Sequence, residues 1–336
     1  MALVMRWVSQ LSGWKFSATL IIFFMLFGSL DIINATYAAL QSDMTLREVI
    51  SLGDRFEFLT GYDSLGFFIG NYLSNTFQFY WAPQQVIAGW LGACTLYFLY
   101  QEKKFTHIVF IYTLLALWSP FVMIGMAPLI ALVIFQTIIT RNQSILTLEN
   151  IVGSSALLLL FMSFYLGGSA GENPSFWIFT LFDRPEKWLA FLIFLLAGWG
   201  CYALAITPYI ATRPSSEKKW FFFLIISLAM LPLKTFGTYN DLFCRGNAPL
   251  LLLLMILILK SIHHYWINAK KILVLMLIIL LVPGFLSAIT QHTRALLLYG
   301  QTQPITTVVN FKYGWENLGA DNTFFGKYFR RNASSP

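Results

Sequence analysis

The chain has 336 residues, 57% of them hydrophobic and only 11% charged, with a mean hydropathy of +0.67 and a formal net charge of +7. A soluble domain carries roughly 25% charged residues, so this composition excludes a soluble globular protein and marks a membrane protein. The positive balance is no sign of a nucleic-acid partner, because in so apolar a chain Lys and Arg mostly report topology.

A bilayer core takes roughly 20 apolar residues per helix. That rule predicts an all-α fold, a polytopic transmembrane helical bundle of about nine spans near 16–35, 80–100, 105–119, 121–139, 150–167, 188–210, 220–236, 247–262 and 272–290. The third is short and meets the fourth at Ser119-Pro120, as a tilted hairpin or a re-entrant element would. With the N-terminus inside, the inner segments hold Arg6, Lys15, Lys103, Lys104, Arg141, Arg213, Lys218, Lys219, Lys260, Lys270 and Lys271. The short outer loops then hold only Arg184, Lys187, Lys234 and Arg245, the bias expected of cytoplasmic loops. An odd number of spans puts a loop at 36–79 and a C-terminal tail at 291–336 outside, with 1–290 as the membrane domain. The first span has a rival reading as a cleaved signal peptide, since Arg6 and Lys15 precede it and "INATYAAL" follows. Its length and its end at Asp31 favour a span.

The outer loop is acidic, with Asp43, Glu48, Asp54, Glu57 and Asp63 against Arg47 and Arg55. It reads either as a solvated loop or as a source of one or two carboxylates for cation binding or general-base work. Asp31 sits near the end of a span, where a deep carboxylate costs roughly 2.5–3.5 kcal/mol on insertion scales and needs a partner, a wet cavity or a shallow position. In "FQFYWAPQQVIAGWLGA", residues 77–93, Tyr80 and Trp81 suit a headgroup-level belt and Pro83 a first helical turn. Gln84 and Gln85 are then amides that must face a cavity or another helix.

"TYNDLFCRGNAPLLLLLMILILK", residues 238–260, places Asp241 and Arg245 ahead of leucines that look made for lipid. A helix from Asn240 or Asp241 to about Lys260 has spanning length, with Asp241 as its cap and Arg245 one turn in on the same face. An i,i+4 pair in this order contributes only a few tenths of a kcal/mol on an exposed helix. Arg245 therefore calls for more: either it snorkels to headgroups beside Asp241, or it holds a lipid-borne phosphate in its planar fork. Lys234, across the same outer loop, would add a second positive charge. Cys94, Cys201 and Cys244 form no disulfide framework, and neither they nor the four histidines have metal-site spacing.

"WAPQQVIAGWLGA" at 81–93, "LWSPFVMIGMAPL" at 117–129, "YNDLFCRGNAPLL" at 239–251 and "DNTFFGKYFRR" at 321–331 resemble the C-terminal half of large bacterial membrane glycosyltransferases of the GT-C type. The resemblance implies an outward-facing site in a bacterial inner membrane, a polyprenyl-phosphate sugar donor and transfer to an acceptor outside the cytoplasm. It implies a phosphate-binding role for Arg245, oriented by Asp241 and Asn240; from their positions alone, Lys234, as a second charge, and Gln84 and Gln85, as amides facing either a cavity or another helix, are the other candidate substrate contacts. It also implies a catalytic carboxylate close after the first span, for which Asp31, Asp43 and Asp54 are the candidates, though none sits in a clear acidic motif. The cofactor is left unknown and metal dependence is open. In the family the four stretches lie downstream of a longer N-terminal half, so the chain is a shortened enzyme, one half of a split enzyme with a separate membrane partner, or a noncatalytic relative. The alternative is a noncatalytic membrane scaffold, or a lipid or solute transporter, whose polar residues line a path.

Overall fold

The structure, a computed structural model of the chain, describes residues 1–30, 72–140, 145–167, 175–236 and 240–299. Among these the regular structure is helical, with no strand and one isolated bridge between Trp177 and Lys234. Most helix starts follow from local chemistry. The first helix, α1 (Ala2–Ser12), ends at Gly13, whose φ of 77° suits a residue without Cβ. For α2 (Ala18–Leu26) and α3 (Asn75–Trp81), Ser17 and Ser74 accept the otherwise unpaired amides of Leu20 and Phe77. Pro83 opens α4 (Pro83–Gln101), where its missing N–H costs nothing. Between α5 (Ile108–Trp118) and α6 (Pro120–Ile139) stands the single extended residue Ser119, which caps α6 through the Val122 amide, and the two helices pack against each other.

A π turn at Glu149–Gly153 leads into α7 (Ser154–Gly167), and α8 (Pro185–Leu195) passes through a second at Leu196–Gly200 into α9 (Cys201–Ala211). The remaining helices are α10 (Ser215–Met230), the short α11 (Asp241–Gly246), α12 (Ala248–Ile267) and α13 (Lys271–Tyr299). Four segments are long and apolar enough to cross a membrane: Pro120–Ile139, Pro185–Ala211, Asp241–Ile267 and Lys271–Thr290. They point to an integral membrane protein.

One expected element differs. The helix predicted over 16–35 stops at Leu26, because Phe27 turns extended and the chain beyond it finds partners elsewhere. The Phe27 carbonyl accepts the Asn75 amide at 2.9 Å, and the Leu30 amide donates at 2.9 Å to Ala197 inside the second π turn. Non-helical backbone inside a bundle persists only where its polar groups are met in this way. Gly28 and Gly284 lie so close that a Cβ on Gly284 would stand 2.4 Å from the Gly28 carbonyl oxygen. The helix α13 continues past its candidate span, Lys271–Thr290, to Tyr299.

The leucine run of α12 is not a lipid-facing surface. Every side chain from Ala248 to Leu259 is buried, because α1, α4, α6, α9, α10 and α13 all pack on this helix. A helix apolar on all sides must be surrounded, and here protein does the surrounding. The surface suited to acyl chains lies on the outer helices instead, at Phe135 and Ile138 on α6, Leu159 on α7, Leu189 on α8, and Ile272 and Met276 on α13, all exposed.

At one end of α12, Glu217 in the first turn of α10 is buried yet fully engaged. Its Oε2 accepts from Arg213 Nε at 2.7 Å, and its Oε1 accepts from Lys260 Nζ and from the Tyr97 hydroxyl. Tyr100 donates to the Ser216 carbonyl at 2.9 Å, which ties the end of α4 to the same corner. Removing the acid alone would leave two cations facing each other in a poorly hydrated place, at a cost of about 3 kcal/mol or more. Glu217→Gln is therefore expected to lower the unfolding temperature of the detergent-solubilised protein. Lys218→Gln, on the same helix outside the cluster, is expected to leave it unchanged.

Candidate functional site

The other end of α12 begins with a broken helix. Asn240 adopts the left-handed conformation, φ 46° and ψ 58°, and its side-chain oxygen accepts from the amides of Phe243 and Phe236. Asn240 thus takes the capping place expected of Asp241 and holds the turn entering α11. Asp241 becomes the first helical residue, where its charge suits the helix dipole. Arg245 follows one turn later and meets it as expected, with Nη2 3.0 Å from Asp241 Oδ1.

Two further segments close on the same guanidinium. Gln85, in the first turn of α4, accepts from Arg245 Nη1 at 3.0 Å, and the Ser119 hydroxyl donates to the same Gln85 oxygen at 3.5 Å. The ring of Trp81 lies 5.2 Å from the guanidinium carbon and that of Phe121 5.8 Å, both within reach of a cation–π attraction. The side chain keeps 24% of its surface exposed while its Nε is buried with no hydrogen-bond partner. A guanidinium has five N–H donors. Asp241 and Gln85 engage its two Nη groups, so donors remain for an anion that reaches the exposed edge.

This position depends on a close backbone approach. Gly125 of α6 and Gly246 of α11 are in contact, and a Cβ on Gly125 would lie 2.2 Å from the Gly246 carbonyl oxygen. One layer deeper, Gln78 donates to Asn247 Oδ1 at 2.9 Å, which pins α3 to the joint between α11 and α12.

The other predicted residues are placed apart. Gln84, next to Gln85, points away into an open, mostly apolar groove of about 380 Å³ between α4 and α5, bordered by Ile87, Leu91, Leu114 and Trp118. Lys234 sets its ammonium 4.9 Å over the ring of Trp177, to which it is also bridged through the backbone. Asp31, Asp43 and Asp54 lie outside the described residues. Among those described, no three His, Cys, Asp or Glu side chains come together as a metal site.

Sequence reasoning missed Trp81, Ser119 and Phe121 as neighbours of Arg245, having read Trp81 as part of a headgroup-level belt. No spacing rule links residues as far apart in sequence as Trp81 and Arg245. It also missed Glu217, although an acid four residues after Arg213 in a stretch otherwise basic was a visible signal.

Comparison of the chain with protein-family models, with curated proteins and with solved structures finds no match.

Because Arg245 is carried by a helix seated on Gly125, a side chain at that glycine must push α11 off α6. Gly125→Val is expected to cost about 1–3 kcal/mol through overpacking. In thermal unfolding it should stand clearly below Ile124→Val, a change at the neighbouring exposed position.

Proposed function

We propose that the protein is a GT-C-like membrane glycosyltransferase, or the C-terminal part of one, that takes a polyprenyl-phosphate-linked sugar at the outer face of the membrane. One observation carries the reading. Three of the four stretches on which the resemblance rests are distant in sequence yet meet around a single cation: Trp81 and Gln85, Ser119 and Phe121, Asp241 and Arg245. The fourth, at 321–331, lies outside the described residues. In this reading Arg245 stabilises the phosphate that leaves when the sugar departs, and a carboxylate among Asp31, Asp43 and Asp54 takes the proton of the acceptor hydroxyl. Lys234, whose ammonium stands over the ring of Trp177, would add a second positive charge in this reading.

The finer topology belongs to the same proposal: about nine crossings of a bacterial inner membrane, the N-terminus inside, and the loop at 36–79 and the tail outside. The ends of α4, α10 and α12 support it, since Tyr97, Tyr100, Ser216, Glu217 and Lys260 join them at one corner. That corner also carries Lys103, Lys104, Lys218 and Lys219 in adjoining chain, all from segments assigned inside. Arg245, at the far end of α12, belongs to the face assigned outside.

A second reading, a noncatalytic membrane scaffold, draws support from the Asp241 partner, which already neutralises Arg245. Binding of a polyprenyl monophosphate to the full chain in detergent separates the two. Hydrogen bonds to charged groups contribute about 1.5–3 kcal/mol, so Arg245→Ala should weaken binding about tenfold or more, and Arg245→Lys should recover part of it. An Arg245→Ala protein that unfolds at the wild-type temperature and binds equally well would remove the phosphate role. If Asp31→Asn, Asp43→Asn and Asp54→Asn all left sugar transfer intact, the proposed bases would fail while the phosphate site stood.

A further inference from the structure

We infer that a second anion site, for a phosphate group, lies at the opposite end of α12 from Arg245. A cavity of about 200 Å³ opens there, bordered by Tyr209, Arg213, Lys260, His263, His264 and Asn268. Two cations and two imidazoles face it, and no carboxylate lines it among the described residues. The acid within reach, Glu217, lies behind the cations with both oxygens already engaged. One negative charge therefore stands against Arg213 and Lys260, and the cluster keeps a net positive charge directed at the cavity.

Arg213 is set up to receive an anion. Only its Nε is bonded to Glu217, and its two Nη groups make no hydrogen bond to another described residue. Its plane is steadied from a second side by Tyr209, whose ring centre lies 5.4 Å from the guanidinium carbon. A guanidinium fixed at Nε and stacked on a ring presents its Nη edge as a ready fork, the geometry that matches two phosphate oxygens at once. The Arg213 side chain is 34% exposed, so that fork is reachable, while Lys260, at 14%, supplies charge from deeper in the wall.

The walls are rigid where the charges sit and polar where a headgroup would enter. His264 packs its ring 5.3 Å from Tyr209, and Asn268 donates to the His264 carbonyl at 2.7 Å, which fixes the last turn of α12. His263, one helical turn after Lys260, is exposed at the rim. Lys218, Lys219, Lys270 and Lys271 flank the same segments in sequence and add to the positive field. A phosphate could come from an anionic phospholipid headgroup or from a soluble phosphate, since basic cavities between membrane helices suit both. This site shares no residue with the one around Arg245 and does not depend on sugar transfer.

The test uses the full chain in nanodiscs of phosphatidylcholine alone or with one part in five phosphatidylglycerol, measuring retained lipid by mass spectrometry after detergent extraction. A parallel thermal-unfolding series in detergent titrates inorganic phosphate against chloride at equal ionic strength. Selective retention of phosphatidylglycerol identifies a lipid source, and stabilisation by phosphate without lipid identifies a soluble one; either supports the site. Arg213→Gln, which leaves Glu217 paired with Lys260, should reduce the effect about tenfold, as loss of a charged fork predicts. His263→Glu places a negative charge at the exposed rim without touching the Glu217 cluster, and decides the matter if Arg213→Gln does not fold. Neither lipid selectivity nor phosphate stabilisation in the wild-type protein, or undiminished binding in folded His263→Glu, overturns the proposal.

Discussion

The structure turns on what a wholly apolar central helix demands of its two ends. From Ala248 to Leu259, α12 carries no polar side chain and no exposed one. The nearest charges, Arg245 before it and Lys260 within it, are fifteen residues apart, about 22 Å along a helix axis. Neither cation can be left unpaired where water is scarce, so other helices must bring partners to each end. At Arg245 they come from α4 and α11, at Lys260 from α4 and α10. The same α4 serves both ends, with Gln85 in its first turn and Tyr97 near its last, and so acts as a strut parallel in role to α12.

Interrupted helices do much of the remaining positioning. Where α2 ends, the extended residues after it are bonded to α3 and to the π turn between α8 and α9. Tyr202 donates to the Gly28 carbonyl at 3.0 Å, and Asn75 donates to the Phe24 carbonyl at 2.9 Å. The break after Leu26 is thus met by specific donors and acceptors from other segments, as the low-dielectric interior requires. The consequence reaches the Arg245 site: α3 is fixed at its start by Ser74 and along its length by Gln78 on Asn247. Trp81, its last residue, is thereby held against the guanidinium.

What was legible in the sequence was what depends on near neighbours. The Asp241–Arg245 pair, the Ser119-Pro120 joint and the start of α4 at Pro83 all follow from rules spanning four residues or fewer, and all are present. The place of α12 was not legible, because an all-apolar helix reads the same whether lipid or protein surrounds it. Lys234 illustrates the same limit. Its partner Trp177 could not be read from the sequence, because the backbone bridge between them joins segments 57 positions apart, from 177 to 234. The stop of α2 at Leu26 has the same origin, since the acceptors and donors that make it tolerable lie beyond residue 70.

The two ends of α12 differ in how completely the protein neutralises its own cations. At the Arg245 end one carboxylate meets one guanidinium, and an amide and two rings complete the surroundings. At the Lys260 end one carboxylate is shared between two cations. A balanced pair resists a further anion unless the anion offers geometry that Asp241 cannot, as a bidentate phosphate does. An unbalanced triad attracts one on charge alone, before geometry is considered. Salt should therefore distinguish the two sites: added electrolyte screens an attraction that rests on net charge more than one that rests on directed hydrogen bonds at a neutral pair.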